Sequence, residues 1–366
     1  MKYLSEYREA RPVKQLLGAL NEVVTRPWTI MEICGGQTHS LVKNGILGLL
    51  PPEITMVHGP GCPVCVTPLN LIDKAVYLAE EKGVVICSFG DMIRVPGSKK
   101  SLLQAKADGA DIRIVYSPLE AVKLARDNPE KEVVFFAVGF ETTAPANALS
   151  VVHAERENLS NYSILASHVL VPPAMEAVIN DDENIIQGFL AAGHVCTIMG
   201  TGEYQPLVEK YNLPIVVTGF EPVDILQGIL MTVKQLENGK AQLENQYSRV
   251  VEAEGNPAAR QVIEKVFSIV DREWRGIGTI PHSGYDVRPQ YERWNADKKF
   301  RVAIDKAPEC ADCIAGQVLK GLKKPHECSQ FGKKCTPENP LGAPMVSSEG
   351  ACAAYYHYHR EPLETH

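Results

Sequence analysis

The 366-residue sequence lacks several features that would assign it to a familiar class of protein. No window approaches about 18 uninterrupted apolar residues, so the sequence predicts no membrane-spanning helix. The first 17 residues are charged and lack the apolar segment of a secretory signal peptide, and we therefore expect a cytoplasmic protein. No basic run stands out and the net charge is −7, which argues against a nucleic-acid binder.

The composition is that of a folded protein. Hydrophobic residues make up 45% and charged residues 22%, close to the averages of globular domains, so nothing indicates disorder. The length suits two or three domains.

The ten cysteines are unevenly placed. Five fall between Cys310 and Cys352, and three between Cys34 and Cys65. In a reducing cytosol, so many thiols indicate metal or redox chemistry rather than structural disulfides. Cys87 and Cys196 lie in apolar stretches that read as strand cores, and we interpret both as packing residues.

Short apolar runs alternate with helical patterns along most of the chain. The predicted strands are 29–33, 54–57, 84–88, 112–116, 133–138, 163–166, 194–199 and 214–218. The predicted helices include 69–81, 118–127, 146–157 and 223–237. This alternation predicts an α/β protein with parallel sheets, and we expect five strands in a first lobe and three in a second.

We therefore divide the chain into three regions. Residues 1–145 form a first α/β lobe, residues 146–270 a second, and residues 271–366 an irregular region with a C-terminal helix that packs back onto a lobe. The third region has too little apolar periodicity to build a core alone, so its cysteines predict a metal centre that holds it.

Four cysteines of the third region have the spacing of a metal site. Cys310 and Cys313 form a CxxC pair, and Cys328 and Cys335 follow with six residues between them. Four thiolates fit either zinc or a [4Fe–4S] cluster, and the loosely spaced second pair favours the cluster. Four unrelated buried thiols are the alternative. Cys352 is a spare ligand, a redox partner or a packing residue, and the sequence does not decide.

Cys34 follows the first predicted strand and precedes Gly35, Gly36 and His39. Ligands bind at the carboxyl ends of the strands in open α/β sheets, so this position predicts a functional thiol. The amides of a following helix would lower its pKa. A buried packing cysteine is the alternative reading.

Cys62 and Cys65 form a second CxxC pair after the next strand. Such a pair can cycle between dithiol and disulfide, or bind a metal. Together with Cys34 it offers three thiolates and an open coordination position, which is typical of a working metal site.

Other polar residues mark further strand ends. Glu141 is a candidate to orient a ligand, whereas His168 and His194 singly are more often structural histidines. The segment 200–203 resembles a phosphate loop but lacks the lysine and the full glycine pattern, so it supports nucleotide binding only weakly.

Several motifs together carry a family resemblance. They are Glu32-Ile33-Cys34-Gly35-Gly36-Gln37-Thr38-His39, His58-Gly59-Pro60-Gly61-Cys62-Pro63-Val64-Cys65, Gly139-Phe140-Glu141-Thr142-Thr143, and Trp274-Arg275-Gly276-Ile277-Gly278 with Ile280-Pro281 and Ser283-Gly284. With the four-cysteine region they resemble the HypD family of [NiFe]-hydrogenase maturation proteins across essentially the whole chain.

The resemblance implies two Rossmann-like lobes and a third region around a [4Fe–4S] cluster. It implies a redox-active scaffold, rather than a simple turnover enzyme, that assembles the Fe(CN)2CO unit with a small HypC-type partner, while a HypE-type protein supplies cyanide. Cys34 would be an iron ligand shared with a cysteine of the HypC-type partner, and Cys62 and Cys65 a redox pair or further iron ligands.

The remaining implied roles complete the candidate site. A cluster held by Cys310, Cys313, Cys328 and Cys335 would feed electrons inward. The candidate catalytic residues are Cys34, Cys62, Cys65, His39 and Glu141.

Two other functions compete with this interpretation. One is a [4Fe–4S]-dependent disulfide reductase acting on a protein substrate, which would use Cys62 and Cys65 but would not require Cys34. The other is a zinc-stabilised scaffold without chemistry. Electron delivery further requires that the chain folds back so that the cluster region lies near Cys62 and Cys65.

Overall fold

The computed structural model describes residues 6–359 as an α/β protein with two sheets. The strands are β1 Trp28–Glu32, β2 Ile54–His58, β3 Val85–Ser88, β4 Ile112–Ile114, β5 Val133–Gly139, β6 Tyr162–Val169, β7 Gly188–Ala192, β8 Ile215–Thr218, β9 Leu243–Asn245, β10 Phe267–Trp274 and β11 Gly278–Val287. The fold class expected from the sequence is confirmed. The outer ends of the first and third predicted regions, residues 1–5 and 360–366, lie outside the described residues.

Helices connect and cover these strands. They are α1 Ala10–Val23, α2 Gly35–Lys43, α3 Pro63–Val66, α4 Leu69–Glu81, α5 Leu102–Ala107, α6 Pro118–Asp127, α7 Ala144–Arg156, α8 Val171–Ile179, α9 Gly193–Met199, α10 Gln205–Tyr211, α11 Pro222–Glu237, α12 Pro257–Val266, α13 Ala296–Phe300, α14 Ala315–Leu319 and α15 Ala351–Tyr358. Between residues 6 and 359, no helix is both long and apolar enough to cross a membrane.

The chain alternates between the two sheets instead of completing one before the other. The first sheet has the order β2-β1-β7-β8-β9, with all strands parallel. The second has the order β10-β11-β6-β5-β3-β4. The expected division into five early and three late strands is therefore wrong, because a buried parallel strand is apolar on both faces and its local pattern does not identify its neighbours. The boundaries drawn at residues 145 and 270 stay predictions.

One predicted strand is a helix. Residues 194–199 belong to α9, and the strand of this region is β7, immediately before it. The apolar run is continuous from one element into the other, and a short run of this kind fits both structures. Cys196 is buried as expected, but on a helix.

A hairpin spans the predicted boundary between the second and third regions, and the glycine- and proline-rich sequence from residue 271 did not indicate it. β10 and β11 pair antiparallel, and β11 continues the second sheet by pairing with β6. Trp274 is buried in the hairpin and its indole N–H donates to Ser283 Oγ at 2.9 Å. From residue 301 to residue 350 the chain is mostly irregular, as expected.

The last described helix returns to the first sheet. Ala354 and Tyr355 of α15 pack with Val42 of α2, the helix that follows β1. Since α2 begins directly after Cys34, this contact brings the C-terminal segment next to the first candidate site.

Candidate thiol and metal site

The two N-terminal cysteine loops lie side by side. Glu32 at the end of β1 is in register with His58 at the end of β2, so the loops after both strands leave the same edge of the sheet. A Cβ atom on Gly61 would lie 2.4 Å from the Cα atom of Cys34, and the Gly35 amide donates to the Gly61 carbonyl at 2.9 Å. Glycine at position 61 therefore permits the contact between the loop of Cys34 and the CxxC loop.

Cys34 is a buried thiol at the start of α2. Burial raises its pKa, and the negative charge of Glu349 raises it further, while backbone amides of Gly36 and Gln37 act in the opposite direction. The lowered pKa expected from the helix amides is thus wrong, because desolvation of the thiolate outweighs them. Without a bound cation, the thiol stays protonated.

His194 faces Cys34. Its Nδ1 atom lies 3.7 Å from Cys34 Sγ, and its ring packs 5.1 Å from that of Phe220. Burial lowers the pKa of His194 to about 4, so the imidazole is neutral and has the form that binds metals. Sequence reasoning treated His194 as structural, because only the pairing of β7 with β1 brings it to Cys34.

A hydrogen-bonded chain supports the loop of Cys34. The buried carboxylate of Glu32 accepts from the Cys34 amide at 3.0 Å, from Thr38, and lies 2.7 Å from His58 Nδ1. His58 Nε2 lies 2.9 Å from the Tyr355 hydroxyl on α15. Desolvation raises the pKa of Glu32, and its partners partly offset this. These hydrogen bonds hold the Cys34 loop against α15.

Cys62 and Cys65 are joined as a disulfide. Both are buried, and Cys62 precedes α3, where its sulfur accepts from the Cys65 amide at 3.2 Å. Each cysteine is therefore the disulfide partner of the other, as the CxxC spacing suggests. In this state neither sulfur is a thiolate that could bind a metal.

The C-terminal cysteines that lie together in the structure are not the four that the spacing predicted. Cys313, Cys328, Cys335 and Cys352 line one cavity, whereas Cys310 is exposed and lies outside it. A Cβ atom on Gly342 would lie 2.4 Å from Cys313 Sγ, so this wall of the cavity leaves room only for glycine.

The chemistry of this cavity fits an iron–sulfur cluster. Four thiols are the donor set of such a group, and Phe331 and Met345 supply an apolar wall. As they stand, no three histidine, cysteine or carboxylate side chains of residues 6–359 converge closely enough to hold a single ion.

The two thiol sites are neighbours. Cys65 of the disulfide and Cys313 of the four-thiol cavity line a small second cavity together with Arg275. The chain thus folds back so that the two thiol sites adjoin, whereas electron delivery to the disulfide stays a prediction.

The contacts that His39 and Glu141 make in the structure do not involve the Cys34 thiol. His39 Nδ1 is 3.0 Å from the Ser348 carbonyl, and its ring meets that of Tyr358 edge-on. Glu141 is buried, and its Oε1 accepts from the Val171 amide at 2.8 Å at the start of α8. Its Oε2 has no hydrogen-bond partner within the described part of the chain. Their catalytic roles stay predictions.

Glu141 gives the protein a testable pH dependence. Desolvation raises its pKa from 4.5 to about 8. The folded state therefore binds a proton that the unfolded state releases between these values, and stability falls as pH rises through this window, by roughly 3–5 kcal/mol in total. Glu141→Gln keeps the acceptor for Val171 and should flatten the decline, so that its Tm exceeds that of wild type at pH 9 but not at pH 4.5.

Thermal unfolding followed by circular dichroism across this pH range measures the effect. The exposed Glu252 offers a matched control, and Glu252→Gln should retain the wild-type profile. Parallel profiles for wild type and Glu141→Gln would contradict the assignment.

Known proteins match the chain along its length. A family model named HypD, described as "Hydrogenase formation hypA family", matches residues 11–359. A hydrogenase maturation factor HypD of Rhodobacter capsulatus is 47% identical over 373 residues, covering 98% of each chain. One of Escherichia coli (strain K12) is 45% identical over 372 residues, covering 100% of each chain. One of Azotobacter vinelandii is 44% identical over 370 residues, covering 99% of this chain and 98% of its own.

These matches agree with the resemblance carried by the cysteine loops after β1 and β2. They extend over both sheets and over the cysteines of the C-terminal region. The chain belongs to the HypD family of hydrogenase maturation factors.

Proposed function

We propose that this maturation factor is a cytoplasmic, redox-active scaffold on which the Fe(CN)2CO unit is assembled with a small HypC-type partner and a HypE-type cyanide donor. The observation that carries the proposal is the contact of Cys34 Sγ with His194 beside a disulfide. A thiol and a neutral imidazole are suitable iron ligands, and they leave positions open for ligands that a partner supplies.

The environment of Cys34 suits a thiol that is activated by its metal. The raised pKa keeps the sulfur protonated until an iron ion binds, and binding then releases the proton. The nearby charge of Glu349 disfavours the free thiolate but favours an incoming cation. Cys34 would therefore hold iron as cargo and would stay protected from oxidation when empty.

The C-terminal cavity would hold a [4Fe–4S] cluster. The cysteines that line this cavity support one set of cluster ligands, namely Cys313, Cys328, Cys335 and Cys352. Cys310 is exposed and lies outside that set. When bound, such a cluster supplies electrons one at a time. The disulfide of Cys62 and Cys65 takes up two electrons and two protons to give two thiols.

Infrared spectroscopy tests the proposed assembly. The protein should be purified anaerobically from cells that also produce the HypC-type partner and the cyanide donor. We expect bands of iron-bound cyanide and carbon monoxide from the complex, and their loss in His194→Ala, because the imidazole is a ligand. Bands of undiminished intensity in His194→Ala would contradict its role, and their absence from the wild-type complex would contradict the function.

A disulfide reductase is the second candidate, favoured by the disulfide beside the four-thiol cavity. It requires the CxxC pair but no iron at Cys34. Iron loading and partner binding that persist in Cys34→Ala would favour it. A colourless zinc protein after anaerobic purification would instead support a structural scaffold.

A further inference from the structure

We propose that Arg275 raises the reduction potential of the Cys62–Cys65 disulfide, and that Glu309 opposes it. Arg275 would do so as a fixed positive charge between the disulfide and the four-thiol cavity. The inference rests on the proposed function only in taking the Cys62–Cys65 pair as redox-active.

Arg275 is tied to the helix that carries Cys65. It follows β10, and its backbone amide donates to the carbonyl of Val66, the residue after Cys65, at 2.8 Å. Its Nη1 donates to the Pro96 carbonyl at 3.1 Å, and its Nε donates to Glu309 Oε2 at 3.0 Å. The side chain is only 7% exposed, whereas that of Glu309 is 45% exposed.

The same residues line the space between the two thiol sites. Cys65, Arg275, Glu309 and Cys313 share the walls of the small cavity. Arg275 therefore borders a space that is also lined by Cys65 of the disulfide and by Cys313 of the four-thiol cavity.

Two glycines allow the segment that follows Cys313 to approach the backbone next to Arg275. A Cβ atom on Gly316 would lie 2.3 Å from the Gly276 carbonyl oxygen, and Gly276 itself has a φ of +77°. The residue after Arg275 and the start of α14 thus approach at backbone distance. This approach sets the backbone next to Arg275 close to the segment that carries Cys313, three residues before Gly316.

The charge acts on the reduced state. A guanidinium is always protonated in proteins, so its charge does not depend on the state of the thiols. Two electrons break the neutral S–S bond, and the resulting thiols share up to two protons from solvent. A nearby cation stabilises any thiolate among these products and leaves the neutral disulfide unaffected, so it raises the reduction potential.

Glu309 opposes this effect from the same cavity. Its carboxylate partly neutralises the guanidinium, but its exposure to water weakens its own field. The buried cation consequently dominates, and removal of the carboxylate should strengthen it. If the Arg275–Glu309 ion pair only held the structure together, loss of either residue would loosen the same contact. Both variants would then shift the reduction potential in the same direction.

Opposite shifts in two variants test the proposal. The full-length protein is equilibrated anaerobically in dithiothreitol buffers of known ratio, and the Cys62–Cys65 dithiol is counted by alkylation and mass spectrometry. Arg275→Met should shift the equilibrium about tenfold toward the disulfide, which corresponds to about 30 mV. Glu309→Gln should shift it roughly threefold toward the dithiol.

Two further variants control for charge and for folding. Arg275→Lys keeps the charge and should stay within about threefold of wild type. Arg126→Met removes a surface arginine that pairs with Glu157 and should leave the equilibrium unchanged. If Arg275→Met does not fold, Glu309→Lys replaces it, with an expected shift toward the dithiol beyond that of Glu309→Gln.

Shifts of the same sign in Arg275→Met and Glu309→Gln would overturn the proposal, as would a shift below about twofold in Arg275→Met. The assay needs neither the partner proteins nor iron at Cys34. A negative result here therefore leaves the proposed assembly function untouched, and failure of iron assembly leaves this equilibrium measurable.

Discussion

Replacement of Cys34 by serine is expected to lower hydrogenase maturation roughly 100-fold or more in cells that lack their own family member, since loss of even an outer-shell partner of a metal ligand costs about 10–100-fold. The Cys34 thiol contacts His194, and the backbone of Cys34 lies against Gly61 of the CxxC loop. Serine preserves the size of the side chain but does not supply a soft thiolate ligand. Hydrogenase activity in extracts measures the effect.

A buried cysteine elsewhere in the fold supplies the control. Cys87 lies in β3 of the second sheet and packs in its core. Cys87→Ala should retain maturation within about threefold, because it removes only packing contacts. Normal maturation by Cys34→Ser at equal protein levels would show that Cys34 is not an iron ligand.

The second large effect concerns the thiols that we propose as ligands of the cluster. Cys352→Ser should lower the iron retained in the cluster roughly tenfold, whereas Cys310→Ser should keep it near the wild-type level. The reason is geometric, since Cys352 lines the cavity of Cys313, Cys328 and Cys335 and Cys310 is exposed outside it. Iron analysis and the visible absorbance of anaerobically reconstituted protein measure the difference.

The two serine variants control for each other, because each removes one thiol from the same region. Loss of the cluster in Cys310→Ser with retention in Cys352→Ser would restore the assignment made from the CxxC spacing. It would also mean that binding of the cluster rearranges the segment before Cys313.

The N-terminal site could be anticipated from the sequence because it depends on a general property of parallel sheets. Cys34 and Cys62 follow consecutive strands, and the carboxyl ends of adjacent parallel strands lie at one edge. The neighbouring position of the two loops therefore follows once the strands are recognised. The close backbone approach at Gly61 is visible only in the structure.

His194 and Cys352 could not be found in this way. His194 reaches Cys34 only because β7 pairs with β1 across 160 residues of chain, and its own segment gives no sign of that pairing. Cys352 stands alone in the sequence, and the CxxC pattern drew attention to Cys310 instead. Both depend on which distant segments pack together, and that is decided by the whole core rather than by local spacing.

Iron assembly and electron supply, as proposed, use separate thiol sites. Mössbauer spectroscopy on anaerobically prepared protein with the HypC-type partner distinguishes cluster iron from mononuclear iron in one sample. We predict both signals in wild type, loss of only the mononuclear signal in Cys34→Ser, and loss of the cluster signal in Cys352→Ser. Retention of mononuclear iron in Cys34→Ser, or loss of both signals together in that variant, would contradict the account.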